Sequence, residues 1–185
     1  GGALNLMGDA VDLGGHEVGI DGAAALGRFS QLVLGRMARE IDHLQASHFL
    51  ILSGDQLYRM DYRDMLETHV DNDADITVGV LPVTREAARG FGVLKVQSDG
   101  RIVEFVEKPQ ADEQLDALIT PSEVFAERGI NAEGRDYLAS MGVYIFKADV
   151  LENILRTEPS WIDFGRDVIP KSLATLHVHS HLFTG

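Results

Sequence analysis

The chain contains no cysteine. That excludes a disulfide framework and thiolate metal sites, and it fits a reducing, cytoplasmic setting. No apolar stretch approaches the length needed to span a bilayer, and no signal-peptide pattern opens the sequence, so no membrane partner is expected. Cations are scarce: 16 Lys and Arg stand against 29 Asp and Glu, for a formal net charge of −13. This argues against nucleic acid as a partner, because such binding draws on clustered Lys and Arg. It also means that any anionic substrate must be met by local cations or a metal that overcome the overall field. The phosphate-cradling patterns GxGxxG and GxxxxGK[ST] are both absent.

What is present is ordinary for a globular domain. With 185 residues, 45% of them hydrophobic and 24% charged, the chain is long enough for one sizeable core. The most informative stretch is Phe49-Leu50-Ile51-Leu52-Ser53-Gly54-Asp55. An apolar run bounded by Ser-Gly-Asp predicts a buried strand that stops at a turn. Ligands of open α/β sheets gather where strands end, so Asp55 is placed either to hold a divalent metal such as Mg²⁺ or to satisfy backbone donors in the turn. Turn chemistry is the commoner of the two.

Before that strand, residues 1–47 read as an atypical N-terminal segment. Gly1 to Asp21 is Gly-rich and is expected to be irregular. From Ala23 onward Leu26, Phe29, Leu32, Val33, Met37 and Ile41 recur at spacings of three and four, which predicts a packing helix with one buried face. Residues 48–185 form the main unit. Asp61 is an expected N-cap for a short helix whose buried residues are Met65, Leu66 and Val70. Ile76 to Val83 is the next buried strand, and strand–helix–strand order predicts a parallel βαβ unit. Gly90-Phe91-Gly92 opens a further strand, Ser98-Asp99-Gly100 signals a hairpin, and Ile102 to Glu107 returns. Pro109 ends that strand and leaves Glu107 and Lys108 at an edge, where such a pair is most often a solvated surface feature.

Gln110 to Gly134 is polar, with a helix start at Thr120-Pro121-Ser122-Glu123, and is expected to cover the site. Ser140 to Phe146 predicts a strand, with Ser140 making only local bonds on this reading. Asp163-Phe164-Gly165 has the letters of a kinase motif without the rest of the set, and Asp163 is expected to cap a turn. His177, His179 and His181 alternate on one face of a last strand, opposite Leu176, Val178 and Leu182. The expectation is a solvent-facing histidine row rather than a metal cluster.

Four blocks in order resemble one family. Ile51-Leu52-Ser53-Gly54-Asp55-Gln56-Leu57-Tyr58-Arg59-Met60-Asp61-Tyr62, Gly90-Phe91-Gly92-Val93 with Val103 to Pro109, Ser140 to Phe146, and Asp163 to Pro170 are similar to the corresponding parts of glucose-1-phosphate adenylyltransferases (ADP-glucose pyrophosphorylases). The resemblance implies an α/β fold, a Rossmann-like nucleotidyltransferase sandwich around a mostly parallel mixed sheet. It implies transfer of AMP from ATP to glucose 1-phosphate, giving ADP-glucose and pyrophosphate for glucan synthesis. Asp55 would be catalytic and bind Mg²⁺, Lys108 would hold the sugar phosphate, and Glu107, Ser140 and Gly92 would orient the glucose. The family's Gly-rich nucleotide loop and its Gly-Thr-Ala-Asp segment have no counterpart here, and its second metal-binding Asp has no match. The expectation is therefore an incomplete domain, a fragment with weak or no turnover by itself, from a protein that is a homo-oligomer when complete. The alternatives are another nucleotide or sugar specificity, or a non-catalytic regulatory subunit.

Overall fold

The computed structural model describes residues 7–12, 17–21, 46–52 and 61–183. Its architecture is mixed α/β. The central strand is β7 (Tyr137–Lys147), flanked along one edge by β4 (Ile76–Val83) and along the other by β3 (His48–Leu52). The sheet continues outward from β3 to β2 (Glu17–Asp21) and β1 (Met7–Asp12), and from β4 to β8 (Val178–Leu182). A hairpin of β5 (Gly92–Val96) and β6 (Ile102–Glu107) also joins β7, through β5.

Strands β2, β3, β4 and β8 share one direction, as a mostly parallel sheet requires. Neighbouring pairs tell a different story, because five of the seven pairings are antiparallel. The reason is β7. Strands β3 and β4 run parallel on either side of it, so the expected βαβ unit exists in direction but has an antiparallel strand inserted between its members. The Gly-rich start also departs from the irregular segment expected of it: residues 7–12 and 17–21 are strands, and β2 obtains its ladder from a parallel partner, β3. Composition over that stretch carries no information about a partner so far along the chain. The helix expected from Ala23 lies outside the described residues.

Strand β3 shows why an unbroken apolar run suits the centre of a sheet. Phe49 and Ile51 join one hydrophobic cluster with Tyr144 and Phe146, while Leu50 joins another with Met65, Leu66, Val143 and Ile145. Alternate side chains thus bury on opposite faces, the two-residue period of a strand covered on both sides. Helix α1 (Tyr62–Asp71) covers the second face, and Asp61 caps it as expected by accepting from the Arg63 backbone N–H at 3.0 Å. Its inner face differs from expectation. Val70 is 39% exposed, whereas His69 is fully buried and shares a 2.7 Å hydrogen bond with Thr77.

Four short helices complete the described fold: α2 (Arg85–Ala88), α3 (Asp112–Ala117), α4 (Ser122–Ala126) and α6 (Ile169–Ser172). Alongside them lie the longer α5 (Ala148–Thr157) and a π-helical turn over Phe164–Val168. No helix among the described residues is long and apolar enough to cross a membrane.

The histidine row is the clearest correction. His179 is only 5% exposed, because the β5–β6 hairpin folds over it. Its Nε2 lies 2.9 Å from the Asp99 carbonyl, and the His181 ring shares a 2.8 Å hydrogen bond with Thr68 of α1. The strand is covered on the face that alternation alone assigns to water.

Two stability tests follow from this packing. Phe146 is fully buried among Tyr144, Phe164 and Leu151, so Phe146→Ala should lower the unfolding free energy by about 3–5 kcal/mol. Urea titration reads this, with Val103→Ala at the 44% exposed Val103 as a near-neutral control. The second test concerns pH. Burial, then the charges of His48 and Lys147, push the His69 imidazole down to about 3. The unfolded chain therefore binds more protons below its ordinary value near 6.5. Stability is complete above that value and falls as the pH drops toward 3. Moving from about pH 7 to about pH 5 should cost on the order of 2 kcal/mol through His69, and His69→Gln should flatten that slope.

Candidate active site

The site is built around an irregularity in β7. Val78 of β4 pairs with Tyr144 and Val80 with Ser140, so Met141, Gly142 and Val143 all oppose the single residue Gly79. Accommodating the excess bends the strand, and Gly142 takes a left-handed φ of 69° that a side chain would strain. The Ser140 hydroxyl accepts a hydrogen bond from the Gly142 N–H at 3.2 Å and sits 3.4 Å from the Tyr144 hydroxyl.

On the other edge of β7, β3 pairs from Val143 to Lys147, whereas β5 pairs at Leu138 and Ala139. Between them, at Ser140 to Gly142, that edge has no strand neighbour among the described residues. The opening falls at the carboxyl end of β3, where ligands of α/β sheets characteristically bind. Asp55 follows Leu52 by three positions in the sequence and lies outside the described residues.

Beside the opening, Gly92 pairs with Glu107 across the hairpin. The Glu107 carboxylate is tucked against two glycine backbones. A Cβ on Gly92 would come within 2.9 Å of its Oε2, and one on Gly165 within 2.7 Å. Burial raises the Glu107 pKa, with the negative charge of Asp163 adding to it and the cations Lys108 and Arg166 opposing. The Lys108 ammonium lies 3.9 Å from Glu107 Oε1 and is 54% exposed, so the ion pair leaves it open to a further anion. Lys108 itself has φ +50°, a left-handed conformation costing about 1–2 kcal/mol for a residue with a Cβ.

The floor of the site is aromatic. Tyr144 stacks on Phe164 with ring centroids 5.4 Å apart and planes at 20°. Its hydroxyl is pushed up to about 12, by burial first and by the fields of Glu107 and Asp163, against the Ser140 bond. Asp163 caps the π-helical turn by accepting from the Arg166 N–H at 2.8 Å, the capping role expected of it.

Gly92, Glu107 and Lys108 thus meet at one mouth, and Ser140 sits beside Tyr144, whose hydroxyl lies in the field of Glu107. Tyr144, Asp163, Gly165 and Arg166 join the group without having been assigned a site role from sequence. Each lies inside a block that carried the resemblance, but their convergence depends on the π-helical turn folding back over β6. Among the described residues no group of three or more His, Asp or Glu side chains is arranged to hold a metal ion. Chemically, a half-buried carboxylate beside an accessible ammonium suits a ligand with both hydroxyl and anionic groups.

The profile of the nucleotidyl transferase family matches residues 25–185, and the chain belongs to that family. Within it, the chain is 42% identical over 139 residues to the glucose-1-phosphate adenylyltransferase small subunit, chloroplastic/amyloplastic, of Triticum aestivum. That match covers 74% of this chain and 29% of the wheat protein, so the chain spans under a third of its relative's length.

The two glycines beside Glu107 should respond differently to alanine. At Gly92 the new methyl would also meet the Phe105 ring at 2.3 Å, an overpacking that should cost about 1–3 kcal/mol. At Gly165 its nearest neighbours are the end of the Glu107 side chain and the Asp163 carboxylate, and stability should change by less than about 1 kcal/mol. Urea midpoints of Gly92→Ala and Gly165→Ala make the comparison.

Proposed function

We propose that this chain supplies the sugar-phosphate side of an adenylyl transfer, in which AMP passes from ATP to glucose 1-phosphate to give ADP-glucose and pyrophosphate. The observation that carries the reading is Lys108 held next to Glu107 at the end of the β5–β6 hairpin, in a chain 42% identical over 139 residues to a glucose-1-phosphate adenylyltransferase subunit.

In the proposed reaction a phosphate oxygen of glucose 1-phosphate attacks the α-phosphorus of ATP. A new P–O bond forms there as the bond to the β-phosphate oxygen breaks, and pyrophosphate leaves with that electron pair. No covalent protein nucleophile is required, so the protein's part is positioning and charge neutralisation. Lys108 pairs with the attacking phosphate, which a chain of net charge −13 would otherwise repel. Glu107 accepts hydrogen bonds from sugar hydroxyls, and Gly92 and Ser140 orient the ring. Asp55 is the proposed Mg²⁺ ligand, and the ion when bound would neutralise triphosphate charge.

The wheat relative is named as a small subunit, which supports a multi-subunit assembly, with further copies of this chain as the proposed partners. The lack of cysteine supports a reducing compartment such as the cytoplasm, although the relative is named for plastids.

The test is Mg²⁺-dependent pyrophosphate release from ATP and glucose 1-phosphate by the complete protein that carries this chain, comparing wild type with Lys108→Ala. Losing a charge-assisted phosphate contact should raise the KM for glucose 1-phosphate at least about tenfold while leaving that for ATP nearly unchanged. Absence of release from folded protein, across several nucleotides and sugar phosphates, would sink the enzymatic reading.

A further inference from the structure

The backbone of Lys108 is held in its disfavoured conformation by contacts that come from neither a helix nor a strand. Its N–H donates to the Phe91 carbonyl at 2.9 Å, just before β5 begins. Its carbonyl accepts from Gln110 Nε2, also at 2.9 Å. The same nitrogen donates to the Arg89 carbonyl at 3.1 Å. The Arg89 guanidinium in turn donates to the Gln110 carbonyl and pairs with Asp112.

Chemistry explains why a side chain does this work. Pro109 separates Lys108 from Gln110 and has no N–H to offer. Two carbonyl oxygens lie together at one place, and a carboxamide nitrogen supplies two N–H groups from one atom. The result is a cross-link between the segment entering β5 and the segment leaving β6. Those segments carry Gly92 on one side and Glu107 and Lys108 on the other.

We propose that Gln110 is a positioning residue: its carboxamide, bridging the carbonyls of Lys108 and Arg89, locks the left-handed Lys108 so that the ammonium stays beside Glu107 at the site mouth. Gln110 acts through Lys108 and touches no substrate. The kinetic consequence rests on the reading of Lys108 as the phosphate-binding cation, whereas the conformational consequence does not.

The experiment is a double-mutant cycle with a separate backbone readout. Gln110→Ala should raise the KM for glucose 1-phosphate roughly three- to tenfold, the scale of one or two solvent-accessible hydrogen bonds. The values of kcat and of the KM for ATP should move by less than about twofold. In a Lys108→Ala background the same change should add nothing further, since sites acting as one unit are not additive. Gln110→Glu, which puts an acceptor where two carbonyls need a donor, should behave like Gln110→Ala. An unchanged KM, or an equal loss in both backgrounds, overturns the proposal, the latter by showing a general structural role.

Amide hydrogen exchange at Lys108 reports on the lock whether or not the enzyme turns over. On the order of tenfold faster exchange in Gln110→Ala, at an unaltered urea midpoint, upholds the positioning role. Unchanged exchange overturns it. If the wild type releases no pyrophosphate, the adenylyl-transfer reading fails while the exchange measurement still decides the role of Gln110.

Discussion

Everything at the site depends on how β7 divides its two edges. One edge is committed to β4 along most of its length, while the other is shared between β3 and β5, with no strand neighbour among the described residues at Ser140 to Gly142. The extra residues opposite Gly79 and the left-handed Gly142 bend β7 at the same place. The apolar faces on either side hold the rest rigid, because Phe146, Ile145 and Leu138 leave almost nothing exposed.

Electrostatics then separates the two ends of the molecule. At the end of the β5–β6 hairpin Glu107 is confined between glycines and balanced by Lys108 and Arg166, so a strongly acidic chain still presents an accessible cation there. At the opposite ends of β4 and β7, Lys147 bridges Asp73 and Asp75, and the nearby His69 is kept neutral by burial. Opposite charges are thereby paired off away from the site, while at the mouth the Lys108 ammonium remains exposed. The left-handed Lys108 belongs to the same design. Backbone strain persists where surrounding contacts over-determine it, and it concentrates where function is carried.

Much of the fold was legible in sequence because it rests on local rules. The unbroken run at Phe49 to Leu52, the Asp61 cap, the hairpin at Ser98-Asp99-Gly100 and the turn at Asp163 each follow from patterns spanning a few residues. Two of the failures share one cause. His179 is buried and residues 17–21 are ordered into a strand because of partners distant in the chain. Periodicity says which face a residue occupies, and it carries no information about what later covers that face.

The candidate site divides along the same line. Glu107, Lys108 and Gly92 were accessible from sequence because Pro109 must end a strand and because the order of four blocks resembles one family. That Tyr144, Asp163, Gly165 and Arg166 close around Glu107 was decided by the π-helical turn folding over β6. That Gln110 secures Lys108 was decided by the register bringing Arg89 within reach. The chain by itself determined the strand and turn positions, the acidic balance and the residue types available for phosphate and sugar. Only the tertiary structure decided which of them meet, because convergence comes from pairing across long sequence separations, and hydrogen-bond register is a property of two strands rather than of either one.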